Sequence, residues 1–221
     1  MSFVHFLLDL IYPPRCRFCG ALLDRESLEP CRKCQAADFW LKEDQAIVPG
    51  HHVSRCVCVG WYRDKLRDAV LRFKFQGRKE YAKAYGHQMA KQIRFFLPGA
   101  YDVVTWVPVS PETLKKRGYD QAQLLAEAAA AALGQEARPL LTKSRKNRAQ
   151  SSLKGAGARW KNVAGVYTAL HPEALAGQRV LLVDDIFTTG ATLEEAAKTL
   201  LDAGASQVVA AVLCRTPQKQ E

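Results

Sequence analysis

The chain has 221 residues, 48% of them hydrophobic, and a formal net charge of +10 at pH 7. This length and apolar content allow one α/β domain with a real core and a small appendage, and the sequence contains no low-complexity tract or repeat that would indicate a repeat architecture. The positive charge favours anionic partners, which are phosphorylated small molecules, nucleic acid or an acidic membrane surface, without choosing among them.

The first twelve residues form an apolar segment. It lacks a basic region, Asp9 interrupts it and no small-residue cleavage site follows, so we do not expect a signal peptide. The segment is also too short to span a bilayer. We expect a short amphipathic helix that docks on the protein. The alternative is membrane contact through its apolar side chains, which are Phe3, Phe6, Leu7 and Leu10.

Four of the seven cysteines form two CxxC pairs with eleven residues between them. Each pair can turn two thiolates toward one ion, and four thiolates satisfy tetrahedral Zn²⁺ with no open position. The alternatives are two disulfides, which an intracellular chain rarely keeps, and an iron–sulfur cluster. We predict a structural zinc site formed by Cys16, Cys19, Cys31 and Cys34.

The other three cysteines and a histidine pair receive no metal assignment. Cys56, Cys58 and Cys214 occur in strand-like runs and are predicted to be small buried residues. His51 and His52 are predicted to be part of a loop, because adjacent loop residues seldom converge on one ion.

The chain divides into a zinc module over residues 1–48 and an α/β domain over residues 49–221, joined at the dipeptide Pro49-Gly50. In the first half of the larger domain we predict a strand over residues 56–62, a basic helix ending near Gly77, a helix over residues 80–96, and a strand over residues 103–109 with Pro108 near its end.

A loop is predicted to begin at Ser110, and a capping box formed by Asp120 and Gln123 indicates the start of the next helix, which Gly134 ends. The alternation of strands and helices predicts a parallel, doubly wound sheet. The apolar stripe of this helix consists of Leu124, Leu125, Ala128, Ala129 and Leu133.

Two basic segments separate the predicted elements, over residues 115–121 and 143–161. The second contains seven Lys or Arg residues and no acid, and its Gly, Ser and Ala content disfavours a helix. Beside a diphosphate site, such a loop could close over the substrate and neutralise a leaving group. The alternatives are a solvated surface loop and a nucleic-acid-binding patch.

The most informative stretch covers residues 180–193. Its first four residues are a Val and Leu run, typical of a parallel strand buried on both faces, and Asp184 and Asp185 follow at the carboxyl end, where open α/β sheets bind ligands. The next loop can wrap its amides around a phosphate at a helix start; it contains Thr188, Thr189, Gly190, Ala191 and Thr192. Together these features describe a phosphorylated sugar site. The alternative is an ordinary βαβ turn with two acids.

A helix and a strand complete this unit. Thr192 and Glu195 have capping-box spacing at the start of the helix, Gly204 is placed to end it, and residues 208–213 form the next buried strand.

Residues 180–193 resemble the signature of type I phosphoribosyltransferases that binds phosphoribosyl pyrophosphate (PRPP). Nearly the whole chain is similar to the ComF/GntX family. The motifs that carry this similarity are residues 180–193, the CxxC pairs, residues 71–77 (LRFKFQG) and residues 117–121 (RGYDQ). The sequence departs from the family pattern at Asp120, where Asn is usual, and at residues 147–149. The remaining matches are Val107-Pro-Val109, Arg145, Gln150, Arg159 and Asn162.

The resemblance implies that Asp184 and Asp185 contact the ribose hydroxyls and serve in catalysis, that the following loop binds the 5-phosphate, and that Mg²⁺ accompanies PRPP. The basic segments and the zinc module are the candidate diphosphate site and acceptor-binding hood. The residues expected on the diphosphate side are Pro108, Val109, Ser110 and Arg117.

The family resemblance also implies a cytoplasmic protein of natural competence that helps bring transforming DNA into the cell. Single-stranded DNA, a competence helicase-like protein and peripheral contact with the inner membrane are its candidate partners. Three functions stay open: a phosphoribosyltransferase with an unidentified acceptor, a non-catalytic PRPP-dependent DNA-uptake factor, and a PRPP-sensing regulator.

Overall fold

The computed structural model describes residues 13–143 and 165–217. Their strands form a five-stranded sheet in the order β1-β2-β7-β6-β3 and a separate two-stranded ribbon, β4-β5. The strands are β1 (Ile47–Val48), β2 (Arg55–Trp61), β3 (Val103–Trp106), β4 (Leu141–Lys143), β5 (Tyr167–Ala169), β6 (Arg179–Phe187) and β7 (Gln207–Arg215).

Helices cover both faces of the large sheet, as the alternating pattern predicts. The α-helices are α1 (Arg32–Gln35), α2 (Glu43–Ala46), α3 (Asp64–Phe75), α4 (Tyr81–Phe96), α5 (Pro111–Arg117), α6 (Gln121–Leu133) and α7 (Ala191–Asp202), and a 3₁₀ turn spans Pro172–Ala174. Strands β2, β7, β6 and β3 are parallel, and β1 pairs antiparallel at the edge. The predicted parallel α/β sheet is confirmed, with one antiparallel edge strand.

Strand β6 lies between β7 and β3 and divides the core into two layers. Leu181 and Val183 pack on the side of α4 and α6, whereas Val180 and Leu182 pack on the side of α7. Successive side chains of a strand point to opposite faces, so the continuous apolar run fills both layers. The same burial applies to Cys56, Cys58 and Cys214, as predicted.

Two strand boundaries differ from the prediction. β6 continues through the acid pair to Phe187, because β7 pairs with it up to that residue. β3 ends at Trp106 rather than at residue 109, and Pro108 has no backbone N–H to continue the ladder.

Two predictions about helix starts are wrong. The loop predicted from Ser110 is helix α5, whose Ser110 cap accepts a hydrogen bond from Thr113 N, with Pro111 at the first position. Helix α7 begins at Ala191 with Gly190 as its cap, so Thr192 is not the cap. The partner of that predicted capping box, Glu195, instead accepts a hydrogen bond from Gly165 N.

Helix α6 begins and ends where predicted. The Asp120 side chain accepts hydrogen bonds from Ala122 N and Gln123 N, and Gly134 closes the helix in the left-handed conformation. Its apolar stripe is rotated from the prediction. The fully buried apolar residues are Ala122, Leu125, Ala126, Ala129 and Ala130, while Leu124, Ala128 and Leu133 are partly buried.

Residues 13–48 carry the four clustered cysteines and are called the cysteine module below. This module shares a core with the larger domain. Phe18 packs edge-on against Trp40 and against Tyr85 of α4, at centroid distances of 5.3 and 5.2 Å. Residue 48, the predicted domain boundary, ends β1, which pairs with β2. The division into two domains stays a prediction.

Several predictions lie outside the described residues: the N-terminal helix, most of the second basic segment, and the roles of Arg145, Gln150, Arg159 and Asn162. Within residues 13–143 and 165–217, no helix is both long enough and apolar enough to cross a membrane.

Gly86 allows α4 and α6 to approach closely. A Cβ atom there would lie 2.5 Å from Ala128 Cβ and 2.7 Å from Ala129 N. We predict that Gly86→Ala lowers the free energy of unfolding by about 1–3 kcal/mol through overpacking, although helix propensity alone would raise it by about 0.5–1 kcal/mol. Urea unfolding measures the difference. The exposed Lys83→Ala on the same helix is the control, and a stabilised Gly86→Ala variant would contradict this packing.

Candidate functional site

The acid pair lies in the last half of β6, where the strand leaves the buried core. Asp184 and Asp185 are half-buried, and Asp184 Oδ1 accepts a hydrogen bond of 2.8 Å from the Asp185 backbone N–H. Burial, followed by repulsion from the Asp185 carboxylate, raises the pKa of Asp184 to about 8. The protonated form of Asp184 is therefore favoured compared with that of a solvated aspartate.

A lysine that sequence reasoning did not single out neutralises the other acid. Lys74 Nζ lies 2.7 Å from Asp185 Oδ2, and the two side chains are only 17% and 14% exposed. Lys74 comes from the last turn of α3, within the LRFKFQG motif at residues 71–77. Its place in that motif is the one sequence signal for Lys74, because no residue near it in the sequence indicates that it pairs with Asp185.

The loop between β6 and α7 has the backbone geometry of a phosphate cradle. Gly190 adopts φ +81°, which favours glycine, and a Cβ there would lie 3.0 Å from the Phe187 ring. Helix α7 begins at the next residue, so its first backbone N–H groups have no partners within the helix. Thr189 Oγ1 is enclosed and has no hydrogen-bond partner among the described residues. This loop offers donors suited to an anion.

The predicted diphosphate residues follow β3, which runs parallel to β6. Pro108 and Val109 therefore lie at the same edge of the sheet as the acid pair. Val109 N donates a 2.9 Å hydrogen bond to Asp120 Oδ2, so the carboxylate that caps α6 also fixes this turn. Burial raises the pKa of Asp120, and the nearby Asp185 charge adds to that effect.

Arg117 lies on the same groove as Lys74, the lysine that pairs with Asp185. Its guanidinium hydrogen-bonds Gln121 Oε1 and stacks on Phe75, 5.2 Å from the ring centroid. Arg117 and Lys74 line the same cavity of about 460 Å³, together with Lys116 and Tyr119. The structure thus brings a predicted site residue and the unforeseen lysine to one cationic surface. By contrast, the Ser110 hydroxyl is occupied in capping α5.

The β4-β5 ribbon brings two more groups toward the acids. Lys143 Nζ lies 5.3 Å from the ring centroid of Tyr167, its partner across the ribbon. Burial lowers the pKa of Lys143, whereas the Asp184 and Asp120 charges act to raise it. The Tyr167 hydroxyl is buried and has no hydrogen-bond partner within the described part of the chain. Sequence reasoning treated Lys143 only as the start of a basic loop.

The four cysteines of the CxxC pairs converge. Their sulfur atoms all lie within 4.8 Å of one another, with 3.9 Å between Cys16 and Cys34 and 3.6 Å between Cys19 and Cys31. Four sulfurs at about 2.3 Å from a tetrahedral ion are about 3.8 Å apart, so the group fits such an ion. A disulfide needs about 2.05 Å, and all seven cysteines are free thiols.

The thiol pKa values in this cluster are shifted in both directions. Although burial acts in the opposite direction, hydrogen bonds from the Cys34 backbone and the neighbouring thiols lower the pKa of Cys31 to about 7. Burial raises the pKa of Cys34, with its neighbours adding to the shift. A bound cation would remove that penalty because it stabilises all four thiolates.

The cysteine module also holds the helix that carries Lys74. Arg72 of α3 donates a 2.9 Å hydrogen bond to the carbonyl of Phe18, which lies inside the first CxxC pair. Tyr85 of α4 donates one of 2.9 Å to the carbonyl of Arg17. The first CxxC pair therefore anchors both α3 and α4 through its backbone carbonyls.

Comparison with known proteins gives two results. Residues 120–221, which include the acid pair and its loop, match the phosphoribosyl transferase domain family. The chain is 31% identical to the competence protein ComFC of Bacillus subtilis (strain 168) over 190 residues, covering 86% of this chain and 72% of that protein.

Two further relatives extend this similarity. Identity is 29% over 202 residues to ComFC of Streptococcus pneumoniae (strain ATCC BAA-255 / R6), covering 87% of this chain and 84% of that protein. It is 30% over 210 residues to the DNA utilization protein YhgH of Salmonella typhi, covering 91% and 84%.

The raised pKa of Asp184 predicts a pH dependence of stability. Because this pKa is 3.8 in the reference state and about 8 in the fold, the native state binds more protons between these values. The free energy of unfolding should therefore fall as pH rises through this window, by at most about 1.4 kcal/mol per pH unit for one proton. Asp184→Asn should flatten the slope in urea unfolding series, and the exposed Asp202→Asn should not. Equal slopes in Asp184→Asn and the unsubstituted chain would contradict this.

Loss of one thiolate should empty the cysteine site. We predict that Cys31→Ser lowers the bound zinc by about one ion per chain relative to the unsubstituted chain, measured by elemental analysis after gel filtration. It should also lower the thermal midpoint, because Cys16, Phe18 and Cys34 belong to the main core. Cys214→Ala, a buried thiol outside the cluster, should keep its zinc. Full zinc content in Cys31→Ser would disprove the four-thiolate site.

Proposed function

The chain belongs to the family of the competence protein ComFC and the DNA utilization protein YhgH, and on this premise we propose that it binds PRPP with Mg²⁺ at the β6 acid pair. The observation that carries the proposal is the order of groups along one strand and loop. Asp184 and Asp185 follow the buried part of β6, and the amide-rich turn at Gly190 opens the next helix. Both lie within the matched phosphoribosyl transferase domain.

Each part of PRPP has a partner of matching chemistry. The acids suit the ribose hydroxyls, and the α7 start suits the 5-phosphate. The turn of Pro108, Val109 and Ser110 lies at the same sheet edge, and Arg117 with Lys74 adds positive charge for the diphosphate. Carboxylate oxygens are also the ligands that Mg²⁺ prefers, so the acid pair fits a hard cation.

In a transferase these residues would act mainly by positioning and electrostatics. Mg²⁺ on the diphosphate would make it a better leaving group. As the bond from C1 to the diphosphate lengthens, positive charge develops on the ribose, and an ionised Asp184 or Asp185 would stabilise it. Lys74 would hold Asp185 in place through their ion pair. The acceptor then takes the phosphoribosyl group at C1 and pyrophosphate leaves.

The names of the relatives support a part in DNA uptake or use. We propose that this chain, like the competence proteins it resembles, acts in the cytoplasm on transforming DNA, with single-stranded DNA and a competence helicase-like protein as partners and with peripheral contact at the inner membrane. The net charge of +10 favours such polyanionic partners. We further propose Zn²⁺ as the ion of the four cysteines and their module as the hood beside the site.

Binding of PRPP is tested first. We predict that Asp184→Asn combined with Asp185→Asn raises the dissociation constant of PRPP with Mg²⁺ at least about 100-fold in calorimetry, because charge-assisted hydrogen bonds contribute about 1.5–3 kcal/mol each. Asp202→Asn, whose side chain is exposed and pairs with Lys198, is the control. Unchanged PRPP affinity in the double variant would overturn the proposed site.

Turnover separates the enzyme from its alternative, a non-catalytic PRPP-dependent DNA-uptake factor. Magnesium-dependent release of pyrophosphate that requires a second substrate supports the transferase. Tight PRPP binding without release across a broad acceptor panel, single-stranded DNA included, supports the binding factor.

A further inference from the structure

Residues 49–53 wrap around a carboxylate in the first turn of α7. The Glu194 side chain is only 9% exposed, and its oxygens accept hydrogen bonds from the backbone N–H groups of His51 at 3.0 Å and His52 at 2.6 Å. Gly50 permits this approach, since a Cβ there would lie 2.0 Å from Glu194 Oε1. The loop is built around this carboxylate.

Two imidazoles come to the same carboxylate. His52 Nδ1 lies 3.2 Å from Glu194 Oε2, and the His51 and His52 rings are 4.4 Å apart between centroids. Both histidines lie in a loop, as predicted, and their rings come close to each other and to Glu194. The tertiary contact with Glu194 is what brings them together.

The distances are close to those of a metal site. Ligand atoms of His51, His52 and Glu194 all lie within 4.8 Å of one another. Two atoms bound at about 2.1 Å to one ion are at most about 4.2 Å apart. The His51 side chain is exposed, so a small rotation of its ring closes the remaining gap without disturbing the core.

We propose that His51, His52 and Glu194 bind a divalent transition metal ion, at a site separate from the four cysteines. Two imidazoles and one carboxylate are a donor set for Zn²⁺ and for Co²⁺ or Ni²⁺, whereas Mg²⁺ and Ca²⁺ prefer oxygen ligands. With three protein ligands the ion keeps at least one open position. The site does not depend on PRPP binding, because it uses neither acid of β6.

The surroundings suit an ion with an open position. His51 and Glu194 line a cavity of about 180 Å³ that Thr189 and Gly190 also line. The Thr189 hydroxyl, which has no partner among the described residues, could bond to a water or an anion oxygen on the ion. The ion would thus pin the loop of residues 49–53 to α7 and add positive charge beside the phosphate loop.

Cobalt provides the test because its spectrum reports the ligand type. The tag-free full chain is first stripped of metal and given one equivalent of Zn²⁺, which the four thiolates take up before the weaker site, and Co²⁺ is then titrated. We expect one further Co²⁺ per chain, with weak visible bands and no thiolate charge-transfer band. His51→Ala should weaken Co²⁺ binding by at least about tenfold, since even indirect partners of a metal contribute 10–100-fold.

The variants separate a metal site from a simple ion pair. His51→Ala and His52→Ala retain the backbone N–H groups that hold Glu194, so the loop stays anchored. His171→Ala is the matched control, since this exposed imidazole also lies beside a carboxylate, 3.4 Å from Glu173. The proposal is overturned if the zinc-loaded chain takes up no Co²⁺, or if His51→Ala and His52→Ala bind Co²⁺ as tightly as the unsubstituted chain does.

Discussion

Two adjacent carboxylates at the end of a central buried strand are the constraint on which the site depends. β6 is apolar on both faces through Val183, and the next residue is an acid that loses much of its hydration there. Two features of the fold reduce the charge that is left without hydration. Burial and the neighbouring charge favour the protonated form of Asp184, and Lys74 pairs with Asp185. Ligand hydroxyl groups can instead donate hydrogen bonds to the two acids, and a divalent cation can offset their charge.

This dependence on Lys74 gives the cysteine module a structural role in the site, whatever else it binds. The lysine is held by α3, and α3 is tied through Arg72 to the Phe18 carbonyl between two cysteines. The Phe18 ring belongs to the same core as Tyr85 and the sheet. A metal ion bound by the cysteines would therefore also restrain the helix that carries the cation beside Asp185.

The elements that sequence predicted well are those with strong local signals. Asp120 capped α6 as its spacing indicated, and Gly134 ended that helix. Errors arose where a neighbouring element sets the boundary of a strand. β6 runs to Phe187 because β7 continues to pair with it. Helix α5 was missed although Ser110 and Pro111 are a good cap and first position, since its seven residues bury no side chain and leave little periodicity to detect.

The amino-acid sequence by itself determined the order of strand, acid pair, phosphate loop and helix, and the two cysteine pairs, because each is a short pattern whose chemistry lies in its spacing. Only the tertiary structure decided which side chains complete these sites. Lys74 meets Asp185 across two elements, and His52 meets Glu194 at a separation of 142 residues. No local sequence pattern identifies such partners, because it is the packing of the sheet and its helices that brings them together.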